Sequence, residues 1–270
     1  MIKVLGLMTC FNRRETTVNA LENLIKGNPN IEFSFIVADD ASTDGTRKAL
    51  EAFENVNVLS GDGNLFYSGG MRLAIHEAKQ SEQEFDYCLL FNDDVDFVFL
   101  AIENLCKKDS SIIWIGPTCD GQGELSYGGI VKKSSWLPRT EIVMADSEEG
   151  KVCDTFNANC VLIPWKIFKD LDNIDSVYTH SMGDFDYGFS AVRKGYEIRV
   201  SNTFVGACTD NPVSVSWRNY ELPIKERIKR KESPKGLPTK EWFHYLKKNY
   251  NVITAIVYSC IPYLRIITRR

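Results

Sequence analysis

Five short apolar runs punctuate the first part of the chain, at residues 2–9, 33–39, 55–59, 87–92 and 112–117. Their length and their Val, Ile, Leu and Phe content predict strands buried on both faces. Between them the apolar positions fall into helical spacing: Thr17, Leu21, Leu24 and Ile25, then Leu50 and Phe53, then Leu73, Ala74 and Ala78. Ser42 and Asp44 are helix-capping types placed ahead of the second helix. Strand and helix alternating in this way predict an α/β fold, a mostly parallel central sheet flanked by helices.

From residue 121 to residue 163 the pattern turns Gly-rich and irregular. Tyr127-Gly128-Gly129-Ile130-Val131 reads as a hairpin, and 156–163 as a return strand. Pro164-Trp165 opens a helix reaching residue 171, and a second helix is expected over 185–194, closed by Gly195. The expected organisation is one domain over 1–217, with halves at 1–120 and 121–217, and a helical C-terminal extension over 218–270.

Charge sharpens that division. Residues 218–270 hold 13 Lys/Arg against 4 Asp/Glu, a net of +9, which leaves 19 against 32, a net of −13, for residues 1–217. The basic run Lys225-Glu226-Arg227-Ile228-Lys229-Arg230-Lys231 followed by an apolar stretch over 252–267 suits an anionic lipid surface. It equally suits a solvated basic helix packed on the acidic domain. Pro262 and Arg265 interrupt the apolar stretch, which is short of the roughly 20 residues of a spanning helix. Eight cysteines without a C-x-x-C pair read as buried thiols of a reducing compartment, not a zinc site. Residues 1–8 are too short an apolar stretch for a signal peptide, so a cytoplasmic location is expected, at most peripheral to a membrane. No nucleic-acid partner is expected.

The chemistry-bearing residues cluster where the predicted strands end, the place where ligands sit on an open parallel sheet. Thr9 ends the first strand and Asp39-Asp40 the second, where a carboxylate can accept from a pyrimidine N–H or a ribose hydroxyl. The surrounding Ala41-Ser42-Thr43-Asp44 would also serve as a plain helix cap. Gly61-Asp62-Gly63-Asn64 leads through Ser68-Gly69-Gly70 into a helix. Its glycines permit close backbone approach, and Arg72 can add a cation for a phosphate. Asn92-Asp93-Asp94 and Asp96 offer hard oxygen ligands for Mg²⁺ or Mn²⁺. Asp184 and Asp186 stand at the head of a helix, where one can cap it and the other can act as a base, with His180 near enough to line the same place. Trp217, Trp136 and Tyr127 are candidate sugar-stacking residues.

Taken together and in order, these segments resemble the family 2 inverting glycosyltransferases of the GT-A fold, including rhamnosyltransferase-like members, over roughly residues 1–205. Thr9-Cys10-Phe11-Asn12-Arg13 is similar to the opening T-x-[FY]-N-R motif. Val37 to Thr46 is similar to the nucleotide-binding motif, Asn92-Asp93-Asp94 to the metal-binding D-x-D, and Gly183-Asp184-Phe185-Asp186 with Arg193-Lys194-Gly195-Tyr196 to the region carrying the base. The resemblance implies a nucleotide-sugar site drawn from Thr9, Phe11, Asn12, Arg13, Asp39, Asp40, Ser42, Asn64, Gly69, Gly70, Arg72, Asn92 and Asp93. Within it Asp40 would contact base and ribose, supported by Thr9. It further implies Asp94 as the carboxylate for Mg²⁺ or Mn²⁺, Asp184 as the catalytic base, and an acceptor side in residues 121–217 that includes His180, Asp186 and Trp217. Asn92 stands where many members have Asp, Gly183 where Glu often precedes the base, and Arg72 where Asn is frequent. The resemblance implies a strand over 201–205 with a His often after it, where this chain reads Gly206-Ala207-Cys208, so a third metal ligand is unassigned.

The activity so implied moves a sugar from a UDP-sugar or dTDP-rhamnose to a hydroxyl of a growing, lipid-linked bacterial surface glycan. A sugar-phosphate nucleotidyltransferase is the alternative enzyme, but it calls for a Gly-rich, basic loop after the first strand, and Thr9-Cys10-Phe11-Asn12 is not one. A catalytically silent carbohydrate-binding protein of the same fold is the third reading, opposed by the presence of both acidic clusters.

Overall fold

Strand β1 (Ile2–Cys10) lies inside an eight-stranded sheet, between β2 (Ile31–Asp39) and β4 (Tyr87–Phe91), with β3 (Val56–Ser60) beyond β2. The computed structural model describes residues 1–208 and 216–268. These four strands are parallel. Beyond β4 the sheet becomes mixed. Cys160–Pro164 runs antiparallel to β4 and to Ile113–Ile115, Ile198–Val200 runs parallel to the latter, and Lys151–Val152 closes the edge antiparallel.

Successive residues of each strand feed opposite faces, which divides the core in two. Leu5, Leu7, Cys88 and Leu90 point into one layer, and Val4, Met8, Leu89 and Phe91 into the other. The first layer is covered by helix α3 (Phe66–Gln80) through Met71, Ala74, Ile75 and Ala78. The second is covered by α1 (Arg14–Gly27) through Leu21 and Leu24, by Leu50 of the short α2 (Thr46–Leu50), and by α4 (Ala101–Cys106) through Ile102 and Leu105. Gly6 is what lets Phe35 and Phe91 meet edge-on over β1, since a Cβ there would strike the Phe35 ring at 2.5 Å.

The second half forms small sheets of its own, with Gly129–Lys132 between Thr140–Val143 and Thr155–Phe156. It also supplies α5 (Trp165–Asp170) and α6 (Gly183–Arg193). Two expectations are corrected here. No strand covers 201–205: the chain leaves the large sheet at Val200 and joins a small one at Gly206–Ala207, held between by Ser201 N–H on the Ile115 carbonyl and Val205 N–H on that of Pro117. Helix α6 begins at Gly183 rather than 185, so Asp184 and Asp186 both lie in its first turn.

Three helices follow, α7 (Ile224–Glu232), α8 (Thr239–Asn249) and α9 (Val252–Thr268). Tyr245 and Leu246 of α8 and Ala255 of α9 belong to the first core layer, so these two helices share a core with the sheet. Asp186, 2% exposed, is the polar bolt between them and α6: it accepts from Lys248 Nζ at 2.7 Å and Asn249 Nδ2 at 2.8 Å, with Arg193 at 3.7 Å. The basic run in α7 does not face solvent as a whole. Arg227 is buried and donates to the Trp217 and Ile266 carbonyls, while Lys231 is buried against Glu232, Thr239 and the Tyr263 ring. No helix among the described residues is long and apolar enough to cross a membrane.

Candidate active site

The loops after β1 and β2 are stitched to each other before any ligand arrives. Asn12 Oδ1 accepts from the Thr43 N–H at 2.8 Å, and the Asn12 N–H donates to Ser42 Oγ at 2.8 Å. Asp44 accepts the N–H of Arg14 on one oxygen and that of Thr46 on the other, which joins the starts of α1 and α2; the Thr46 hydroxyl first, and then these amides, lower its pKa. Asn12 and Ala41 hold positive φ of 51° and 61°, conformations that non-glycine residues adopt at a cost of order 1 kcal/mol or more. Phe11 is half exposed at the rim.

Asp40 closes the third loop over the second. Its Oδ1 accepts from Gly63 at 2.8 Å and Leu65 at 3.2 Å, and its Oδ2 from Phe66 at 3.0 Å. With three backbone donors and 4% exposure, Asp40 shapes the floor of the cleft. Its neighbour Asp39 takes one backbone donor, from Ser42 at 3.2 Å, and the Cys10 thiol at 3.9 Å, which leaves acceptor capacity. Thr9 donates to the Ala38 carbonyl at 3.0 Å and sits beneath Gly70, where a Cβ would lie 2.7 Å from the Thr9 Cβ. Gly70→Ala should therefore force α3 off β1. A loss of about 1–3 kcal/mol is expected from overpacking, read as a lower denaturation midpoint together with weaker nucleotide binding. Asn64 is exposed in the loop, and Gly69 is buried against Leu65.

At the end of β4 two adjacent aspartates have different surroundings. Asp93 is buried, bonded to Thr17 Oγ1 at 2.9 Å and Arg13 Nη1 at 2.7 Å. Burial raises its pKa, against the pull of Arg13. Asp94 is 40% exposed, shares Arg13 through two long 3.3 Å contacts, and meets the Cys208 thiol at 3.7 Å. Arg13 is thus placed as counter-ion to both. Among the described residues no three acidic, His or Cys groups converge as a metal cage. One exposed, weakly committed carboxylate beside a half-buried Asn92 is nevertheless the donor set that Mg²⁺ or Mn²⁺ takes when substrate phosphates and water complete its shell.

The opposite wall is the first turn of α6. Met182, at φ 68°, turns the chain so that Asp184 follows directly. The Asp184 carboxylate accepts from its neighbour Phe185 at 2.9 Å and from Ala158 at 3.2 Å, and burial raises its pKa to about 6 despite those bonds. The two walls meet through one turn. Ala158 holds Asp184, the next residue Asn159 donates to Cys208 Sγ at 3.4 Å, and Cys208 touches Asp94. Tyr67, between them, feels the charge of Asp184 and of Asp94, though burial is the larger cause of its raised pKa.

The segment ahead of α6 is tied to α3. Ser68 bonds the Thr179 carbonyl through its N–H and the His180 carbonyl through its hydroxyl, and Tyr67 N–H reaches His180 Nδ1 at 3.4 Å. His180 is held neutral, its pKa lowered to about 4 by burial and then by Lys235. Arg72 is part of the same brace, donating through Nη1 to the carbonyls of Asp175 and Tyr178 at 3.2 Å. Asp186 faces α8, bound to Lys248 and Asn249.

Next to Asp184 opens a cavity of about 550 Å³ lined by Met182, Phe185, Trp217, Trp242, Tyr245 and Tyr250, with Arg139, Arg218 and Arg265 also on its walls. Trp217 lines it, whereas Trp136 is exposed elsewhere, beside α9. Sequence reasoning missed Ala158, Asn159 and Cys208, whose contributions are a backbone N–H, an amide and a thiol with no motif. The aromatic spacing over residues 242–258 was the available signal for the cavity.

The profile of glycosyl transferase family 2 matches residues 7–109, which span every residue from Thr9 to Asp94 discussed above. No curated protein matches the chain. Among solved structures, the chain is similar to the mannosyltransferase PcManGT of Pyrobaculum calidifontis, solved with GDP-Man and Mn²⁺, at 13% identity and a TM-score of 0.54, over 98% of this chain and 71% of that one. It is similar to S. aureus TarS 1-349 solved with UDP-GlcNAc, at 14% identity and 0.58, over 98% and 82%. It is also similar to GalNAc-T7 solved with UDP, GalNAc and Mn²⁺, at 13% identity and 0.56, over 93% and 58%. Residues 7–109, the stretch that holds the strand-end loops, thus match glycosyl transferase family 2, and the chain as a whole shares the GT-A fold of these structures.

Proposed function

We propose that the enzyme transfers a sugar with inversion from a nucleoside-diphosphate donor to a hydroxyl of a glycan acceptor, and that the transfer takes place between Asp94 and Asp184. The observation that carries this reading is the contact chain Asp94–Cys208–Asn159–Ala158–Asp184, which brings the one exposed carboxylate of β4's end and the burial-raised carboxylate of α6 to the same turn. Asp184 takes the proton of the acceptor hydroxyl. That oxygen forms a bond to the anomeric carbon from the face opposite the diphosphate, and the carbon–oxygen bond to the diphosphate breaks with its electron pair leaving on the nucleotide. Asp39 accepts from the base, and Arg13 offers charge to the diphosphate. Asp94 with the substrate phosphates would hold Mg²⁺ or Mn²⁺, whose chemistry there is Lewis-acid stabilisation of the leaving group. The structures solved with Mn²⁺ support that choice of ion.

The acceptor enters by the aromatic cavity, where Phe185 offers a ring face for a sugar beside Trp217, whose ring lies under the Arg218 guanidinium, and Arg139, Arg218 and Arg265 suit an acceptor that carries phosphate. A growing, lipid-linked bacterial surface glycan fits that chemistry, in an enzyme of the cytoplasmic side of the envelope. UDP-sugars and dTDP-rhamnose are both candidate donors. A thermal-shift panel of nucleotide sugars with and without Mn²⁺, followed by donor hydrolysis, tests the reading. Stabilisation by a nucleoside diphosphate sugar that depends on Mn²⁺, with release of the nucleoside diphosphate, is expected. Pyrophosphate release from a nucleoside triphosphate and a sugar phosphate would instead make it a nucleotidyltransferase, and binding without turnover a silent relative.

A further inference from the structure

Helix α9 is inverted relative to a helix that faces water. Its buried face is mostly small or polar, Thr254, Ala255, Ser259 and Pro262, with Ile266 the one large aliphatic. Its outer face carries Val252, Ile253, Ile256, Val257, Leu264 and Ile267, each more than half exposed, with Cys260 among them. Residues 253, 256, 257, 260, 264 and 267 share a face at helical spacing, and Arg265 is the only charged residue of the helix. A contiguous stripe of this kind marks a surface that meets another apolar phase.

Two further observations identify that phase. Trp136, 65% exposed, lies beside the first turn of α9, where Thr254 Oγ1 donates to its carbonyl at 2.7 Å, and Leu137 follows it. Exposed Trp beside an aliphatic stripe suits the boundary between hydrocarbon and headgroups. The neighbouring cavity wall holds Arg139, Arg218 and Arg265, all exposed and none paired with a carboxylate among the described residues, the latter two within residues 218–270, which carry a net +9. A second copy packed on the same stripe would bring two such basic segments together, whereas an anionic bilayer complements them.

We propose that α9, with Trp136 and Leu137, docks the enzyme on an anionic lipid bilayer, the helix lying in the interfacial plane and the cavity mouth at headgroup level. At 17 residues the helix is about 25 Å long, suited to lying on the membrane instead of crossing it. The docking surface is therefore α9 and not the basic run of α7, whose Arg227 and Lys231 are buried. That the docked cavity serves a lipid-linked acceptor rests on the transfer reading above; the docking does not.

Vesicle flotation of the full chain tests it, with vesicles of equimolar phosphatidylcholine and phosphatidylglycerol against phosphatidylcholine alone. Flotation with the anionic vesicles, weakened by added salt, is expected. The pair Ile253→Asp and Val257→Asp, and independently Ile256→Ser with Leu264→Ser, should each weaken partitioning by about tenfold or more. Val152→Asp, equally exposed but on the sheet edge, should leave it unchanged. Melting curves confirm that each variant is folded, and donor hydrolysis read on the same samples keeps the two readings apart. Lost hydrolysis with intact flotation would count against the transfer reading alone. Absence of flotation, equal flotation with neutral vesicles, unchanged flotation of both variant pairs, or a solution dimer that these variants dissolve would overturn the docking.

Discussion

Asp184→Asn is expected to lower kcat by about 10²–10⁴-fold, the usual contribution of a general base, while leaving donor affinity near that of the wild type. The wild-type rate should rise with pH through about 6, where Asp184 ionises, and then level off. His180, already neutral above about 4, adds no inflection there. The same substitution should favour the fold at neutral pH. Burial raises the folded pKa of Asp184 above its unfolded value of 3.8, so stability is fullest below that value and declines as pH rises through about 6. An amide escapes that decline. The melting temperature of Asp184→Asn relative to wild type should therefore widen between about pH 5 and about pH 8, although the amide must turn its NH₂ toward the Phe185 or Ala158 donor and so forfeits part of the gain. A variant that is both inactive and more stable is the signature of a carboxylate held ionised for chemistry; one that is active, or destabilised most at high pH, would exclude Asp184 as the base.

The second large effect is expected one strand end away. Asp94→Ala should cost roughly 10²–10³-fold in kcat and abolish Mn²⁺ binding in the presence of the nucleoside diphosphate, read by the spin-resonance signal of free Mn²⁺ without any turnover. Its fold should be nearly intact, because the side chain is exposed and its contacts are long. Asp93→Ala should behave in the opposite sense. It removes the buried partner of Arg13 and Thr17 and should cost about 1–3 kcal/mol in a denaturant titration. If Asp94→Ala kept its Mn²⁺ while Asp93→Ala lost it, the two assignments would be exchanged.

That contrast shows how far the residues could be read in order along the chain. The strands were legible because burial on both faces leaves continuous apolar runs, as in Phe33 to Ala38, and the strand-end positions followed from topology. The roles of neighbouring polar residues were not legible, because they depend on which backbone N–H groups come back to them. Asp40 and Asp39 are alike in sequence, yet three amides of the Gly61–Phe66 loop converge on Asp40 alone. Arg72 was placed near a phosphate by position, but its guanidinium serves the carbonyls of Asp175 and Tyr178, a hundred residues away in the chain and visible only once α3 is packed against the segment ahead of α6. Asp186 differs from Asp184 by two positions on a helix, which turns it to the far side, toward Lys248 and Asn249. The inverted helix α9 was legible as an apolar stretch, but not which face would be left outside.

The account stands on a single juxtaposition, and a structure of the enzyme with UDP and Mn²⁺ bound measures it most directly. The diphosphate should lie in the cleft with its metal on Asp94, the base beside Asp39, and the Asp184 carboxylate facing the vacant sugar position across the turn at Ala158 and Asn159. A nucleotide bound away from the ends of β1, β2 and β4, or an Asp184 carboxylate walled off from that position, would contradict it.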